Sequence, residues 1–149
     1  MEYVPFVLFL VLASFALFFL SSIGAEHGTG TRTYEQIPGL LAQLKTNTDP
    51  TAFLGFYTND VDALYFIYES GTFFLDYELY NPAKEKMAEP FRRTAAKLGY
   101  EIISTSYDDE HPVLRIRLSA SEFEAAEQAF QVANKLFDIQ KETELEFLP

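Results

Sequence analysis

The segment YDDEHP, residues 107–112, gathers the densest set of potential ligands in the chain. Asp108, Asp109 and Glu110 offer carboxylate oxygens and His111 an imidazole nitrogen, a donor set suited to a divalent cation. Consecutive residues rarely converge on one ion, however, and acidic residues close to a proline are ordinary turn chemistry. The segment therefore reads as a turn between strands. Asp76 and Glu78 are the second candidate pair. Two residues apart on one strand, they share a face at a separation of about 7 Å. Paired carboxylates at such distances perform acid–base work in other proteins, but a solvent-facing strand carries the same residues, and nothing around them implies a cleft. Ser104, Ser106, Ser119 and Ser121 lack the G-x-S-x-G context of an activated nucleophile. The chain has no cysteine, which removes thiolate, disulfide and zinc–cysteine chemistry. No glycine-rich phosphate loop is present. The sequence thus points away from catalysis, with no cofactor and no metal expected.

Charge narrows the partners. The 149 residues carry a formal net charge of -11, which repels nucleic-acid phosphates and makes a nucleic-acid partner unexpected. Within this acidic background, residues 82–98 hold Lys84, Lys86, Arg92, Arg93 and Lys97 against Glu85 and Glu89. That local excess reads as a solvated helix face with i,i+4 pairs such as Glu89 with Arg93.

The opening MEYVPFVLFLVLASFALFFLSSIGAEHG is uncharged from Tyr3 to Ile23. As a helix, Val4 to Ile23 would extend roughly 30 Å, the thickness of a hydrocarbon core. Pro5 suits a first helical turn, and Gly24 with the polar residues after it ends the apolar run. A secretory signal would have a basic start and a shorter apolar core, and here the start has no Lys or Arg. Residues 1–25 are therefore expected to form a transmembrane anchor in the bilayer, with a cleaved signal and a secreted or periplasmic binding domain as the alternative. Arg32 after the span, with no cation before it, favours a cytoplasmic domain.

Residues 26–33 read as a tether and 34–149 as one α+β domain. Ile37, Leu40, Leu41 and Leu44 share a helical face over about 38–46, and 52–58 reads as a strand. In DALYFIYESGTFFLDYELYN, two alternating aromatic runs flank Ser70-Gly71, a two-residue hairpin signal. Pairing Glu69 with Thr72 sets Tyr68 against Phe73 and Phe66 against Leu75, giving one apolar face; a slip of one residue would mix the faces. Asn81-Pro82 starts a helix that Gly99 closes, with Ala83, Met87, Phe91 and Leu98 inward and Pro90 expected to kink or split it. Residues 100–107 and 112–118 read as a second strand pair, with Leu114, Ile116 and Leu118 facing one way and Arg115 and Arg117 the other. A capping box at Ser119 or Ser121 opens the last helix, whose expected inner stripe is Phe123, Ala126, Phe130, Ala133 and Phe137. The tail TELEFL suggests a short edge strand.

The order after residue 60 is then ββαββα, an antiparallel sheet with helices on one face. The opposite face of the first hairpin carries Tyr65, Ile67, Phe74, Asp76, Glu78 and Tyr80, an aromatic and acidic surface of the kind that forms protein interfaces. The expected function is that of a non-enzymatic, single-pass accessory or assembly subunit of an integral membrane protein complex. A small enzyme of unspecified reaction is the remaining alternative.

Overall fold

The structure, a computed structural model, describes residues 31–58, 63–79, 82–106 and 111–147. In chain order they form β1 (Thr31–Arg32), a 3-10 turn (Tyr34–Gln36), α1 (Ile37–Thr46), β2 (Leu54–Tyr57), β3 (Ala63–Glu69) and β4 (Thr72–Glu78). Then follow α2 (Pro82–Leu98), β5 (Ile102–Ser106), β6 (Pro112–Arg117), α3 (Glu122–Phe137) and β7 (Leu145–Glu146). The domain is α+β: an antiparallel five-strand sheet ordered β2-β3-β4-β6-β5, with three helices. The ββαββα order stands as expected. The proposed anchor, residues 1–25, lies outside the described residues; among those described, no helix is long and apolar enough to cross a membrane.

The β3–β4 hairpin takes the expected register, with Glu69 opposite Thr72, Tyr68 opposite Phe73 and Phe66 opposite Leu75. Ser70 and Gly71 both have positive φ, 53° and 80°. That is the signature of a type I′ turn, whose twist matches that of the strands it joins. The register sends Leu64, Phe66, Phe73, Leu75 and Tyr77 to one side, where they meet Leu114 and Ile116 of β6 and the helices in a continuous core. Within it Phe56 and Phe66 lie 5.8 Å apart, and the Tyr77 ring stacks on Phe91 at 5.4 Å.

Local chemistry sets the end of α2 and the start of α3. Helix α2 closes in a Schellman motif: Gly99 has φ +79°, its N–H donates to the Ala96 carbonyl, and the Tyr100 N–H donates to that of Ala95. Helix α3 starts at Ser121, whose side chain accepts from the Glu124 N–H. Ser119 has a supporting role there, its hydroxyl donating to the Glu124 carboxylate at 2.7 Å.

The structure refines four of the readings. Pro90 does not split α2, which continues from Pro82 to Leu98; Phe91 and Ala95 after it and Lys84 before it are all buried, so packing on both sides outweighs the lost backbone bond. Lys84 leaves the solvated basic face: it is 1% exposed, with Nζ 5.6 Å from the centre of the Tyr77 ring. The inner stripe of α3 is Ala125, Ala126, Ala129, Val132 and Ala133, with Phe137 packed against the core; of the expected members Ala126, Ala133 and Phe137 hold, whereas Phe123 is 75% exposed and Phe130 only half-buried. Small residues let α3 approach α1 and α2, against both of which it packs. The tether is structured at its end, since Thr31 and Arg32 pair with Glu146 and Leu145, and Phe147 bridges to Phe56. The tail thus forms a short strand, as expected, and borders β2.

Candidate docking face

The sheet has a second side, and the expected interface residues lie on it. Strand alternation places Tyr65 and Ile67 of β3, Phe74, Asp76 and Glu78 of β4, and Arg115 and Arg117 of β6 away from the helices. The ladder brings them together in two rows: Tyr65 opposite Asp76 opposite Arg115, and Ile67 opposite Phe74 opposite Arg117. Tyr80 lies outside the described residues.

Arg115 organises the upper row. Its Nε and Nη2 donate to the two oxygens of Asp76 at 2.7 and 2.8 Å, and its Nη1 donates to Glu69 at 3.1 Å. Asp76 is fully buried, and the Arg115 side chain is 15% exposed. A bidentate guanidinium–carboxylate pair at this depth fixes both side chains. Asp76 is therefore not the solvent-facing carboxylate expected from the alternation, and both its oxygens are engaged by one cation. In the lower row Phe74, 6% exposed, lies under two guanidinium carbons, 5.1 Å from that of Arg115 and 5.4 Å from that of Arg117. Arg117 in turn reaches Glu101 at 4.0 Å. Ala63, Phe74 and Val113 are buried yet belong to no part of the helix-side core.

Beside this clamp is a cleft of about 600 Å³ lined by Pro50, Ala52, Phe53, Tyr65, Glu78 and Arg115, among others. Its volume falls within the range of ligand-sized sites. Phe53, 46% exposed, meets the Tyr65 ring edge-on at 5.6 Å. An Asx-like turn positions the segment before Phe53: Asp49 Oδ1 accepts from both the N–H and the hydroxyl of Thr51, at 2.9 and 2.7 Å. These bonds hold the Asp49 carboxyl below its ordinary value, the backbone bond contributing most. Glu69 also lines the cleft, whereas the Glu78 carboxylate has no hydrogen-bond or ion-pair partner among the described residues.

The cleft, Phe53 and the role of Arg115 were missed by the sequence reading. Alternation alone puts Arg115 on this side, but only the β4–β6 pairing sets it opposite Asp76. Of the acidic turn, residues 107–110 lie outside the described residues, and His111 is exposed. Among the described residues, no group of three acidic or histidine side chains is placed to hold a metal ion. Ser119 and Ser121 serve the start of α3, as described above.

In comparisons with known proteins, no family model, no curated protein and no solved structure matches the chain.

Proposed function

We propose that this chain is a non-enzymatic, single-pass membrane protein, an accessory or assembly subunit of a larger integral membrane complex. Residues 1–25 hold it in the bilayer, and the α+β domain docks through the outer side of its sheet. The observation that carries the docking role is the partly exposed apolar surface of the Phe53 and Tyr65 rings with Ile67, beside the buried Arg115–Asp76 clamp. Exposed aromatics on a rigid support lose little conformational freedom on binding, and such residues supply much of the energy of protein interfaces. The anchor rests on the uncharged run from Tyr3 to Ile23.

The test is purification of the tagged full-length chain in a mild detergent, with identification of what travels with it. The chain is expected to stay with membranes through a carbonate wash and to keep its full mass. Loss of about 24–25 residues would favour a secreted domain with its signal removed. The double variant Phe53→Ala, Tyr65→Ala is expected to lose the co-purifying partner while its thermal midpoint stays close to that of the parent. Retention of the partner by a folded double variant would remove this surface from the interface.

A further inference from the structure

We infer that the cleft at Phe53 receives a lysine or arginine side chain of the partner protein, flanked in that partner by apolar residues. The inference rests on the docking reading and names the chemistry of its contact. Charge is the first argument. The guanidinium of Arg115 is engaged on both edges by Asp76 and Glu69, so the one cation that lines the cleft among the described residues is already neutralised. Glu78 adds a carboxylate that has no partner among the described residues. Among the described residues, two lining carboxylates, Glu69 and Glu78, with the buried Asp76 behind Arg115, outweigh one guanidinium and leave the cleft net negative, which disfavours an anion and favours a cation. The net charge of -11 extends that preference outward, because an acidic surface steers cations towards it.

The walls supply the second argument. The edge-to-face pair of Phe53 and Tyr65 offers aromatic surface to a cation. The same side of the sheet already uses this contact, with Phe74 beneath Arg115 and Arg117. Pro50, Ala52 and Ile67 add apolar lining suited to the methylene stem of a long basic side chain. A free small amine would leave the outer part of the Phe53 ring in water. A side chain borne on a protein brings neighbouring apolar residues onto that ring, which is 46% exposed.

The experiment uses the full-length chain in phosphatidylcholine nanodiscs, whose neutral surface does not attract charged peptides. Two fluorescein-labelled peptides are titrated by anisotropy, one with a Leu-Arg-Leu centre and one with Leu-Glu-Leu. The arginine peptide is expected to bind and the glutamate peptide not to. Glu78→Gln, which breaks no bond among the described residues, is expected to weaken binding of the arginine peptide roughly three- to tenfold with an unchanged thermal midpoint. Phe53→Ala should weaken it similarly. Equal binding of the two peptides, or unaltered affinity in Glu78→Gln, would overturn the inference. So would self-association of the chain that Glu78→Gln abolishes, since the occupant would then be a second copy. Co-purification of the native partner separates the two levels. If Phe53→Ala, Tyr65→Ala loses the partner while Glu78→Gln keeps both partner and peptide affinity, docking stands and the basic contact fails. If the double variant also keeps the partner, the docking reading fails with it.

Discussion

The two sides of the five-strand sheet are made by the same residues in alternation, yet they are stabilised by different physics. On the helix side, Phe66, Phe73, Leu75, Leu114 and Ile116 are all essentially fully buried among other apolar groups. Stability there comes from removing apolar area from water and from close packing. On the other side, Phe74 is buried beneath two guanidiniums, and a fully buried Asp76 is matched to Arg115. Stability there depends on one directional pairing, while neighbouring aromatics stay partly in solvent. The helix side is closed by the chain's own helices, whereas the other side fixes its charge and leaves aromatic surface in solvent, the surface on which the proposed docking rests.

The largest test of that contrast is on the helix side. Phe66→Ala removes a fully buried ring packed against Phe56 and is expected to cost about 3–5 kcal/mol, read from urea unfolding. A cost near 1 kcal/mol would mean that this side is no better packed than the other, and the contrast would fail.

Next in size is the clamp. Asp76→Ala takes the bidentate carboxylate from a mostly buried guanidinium, which keeps its bond to Glu69, and is expected to cost about 2–4 kcal/mol. The double change Asp76→Leu, Arg115→Leu sharpens the reading, because replacing both members of a buried pair by apolar groups restores much of what one deletion loses. If the double variant is as unstable as Asp76→Ala, shape rather than charge pairing governs this side.

How much of this was legible follows from the range of each interaction. The hairpin register was readable because Ser70-Gly71 and the alternation around it are local, and only one register segregates the apolar residues. The Asp76–Arg115 pair spans 39 residues and depends on β4 lying beside β6 rather than β5. Alternation assigns each residue to a side but does not say which strands adjoin. Lys84 was misplaced because lysine is seldom buried, although its spacing from Phe91 and Ala95 puts it on their stripe. Helix α3 was turned wrongly for the opposite reason. The expected stripe was right at Ala126 and Ala133 and in setting Phe137 against the core, but it ran through Phe123 and Phe130 where the structure buries Ala125, Ala129 and Val132, because the larger residues were preferred. Close approach of α1 and α2 selects the alanines.

A smaller effect tests the flank of α3. Tyr34 packs on Phe130 at 4.8 Å and donates to Glu127 at 2.9 Å. Burial raises the Tyr34 phenol well above its ordinary value of 10.0, helped by the hydrogen bond to Glu127 and then by its charge. The folded state therefore holds this proton more tightly than the unfolded chain. The stabilisation is complete below the unfolded value and is lost as pH rises through the folded one. Tyr100 is raised in the same direction, by burial and then by the charge of Glu127. The thermal midpoint should fall as pH rises above about 10, and Tyr34→Phe should fall less steeply. Identical slopes would detach Tyr34 from the alkaline transition.

The smallest expected effect carries the orientation of α3. Phe123, at 75% exposure, projects from the first turn, while Phe130 is half-buried against Tyr34. Phe123→Ala is expected to change stability by no more than about 0.5 kcal/mol, as for exposed positions generally, because it uncovers no core and leaves no cavity. Phe130→Ala removes a half-packed ring and is expected to cost about 1–2 kcal/mol, less than the same change at a fully buried site. Urea unfolding of both variants beside Ala129→Leu completes the test. Ala129 is 1% exposed, so the added side chain has no room and is expected to cost about 1–3 kcal/mol. If Phe123→Ala proved costly and Ala129→Leu harmless, the aromatic residues would form the inner stripe after all. The helix layer would then need rebuilding around them, and the contrast between the two sides of the sheet would lose its better-packed half.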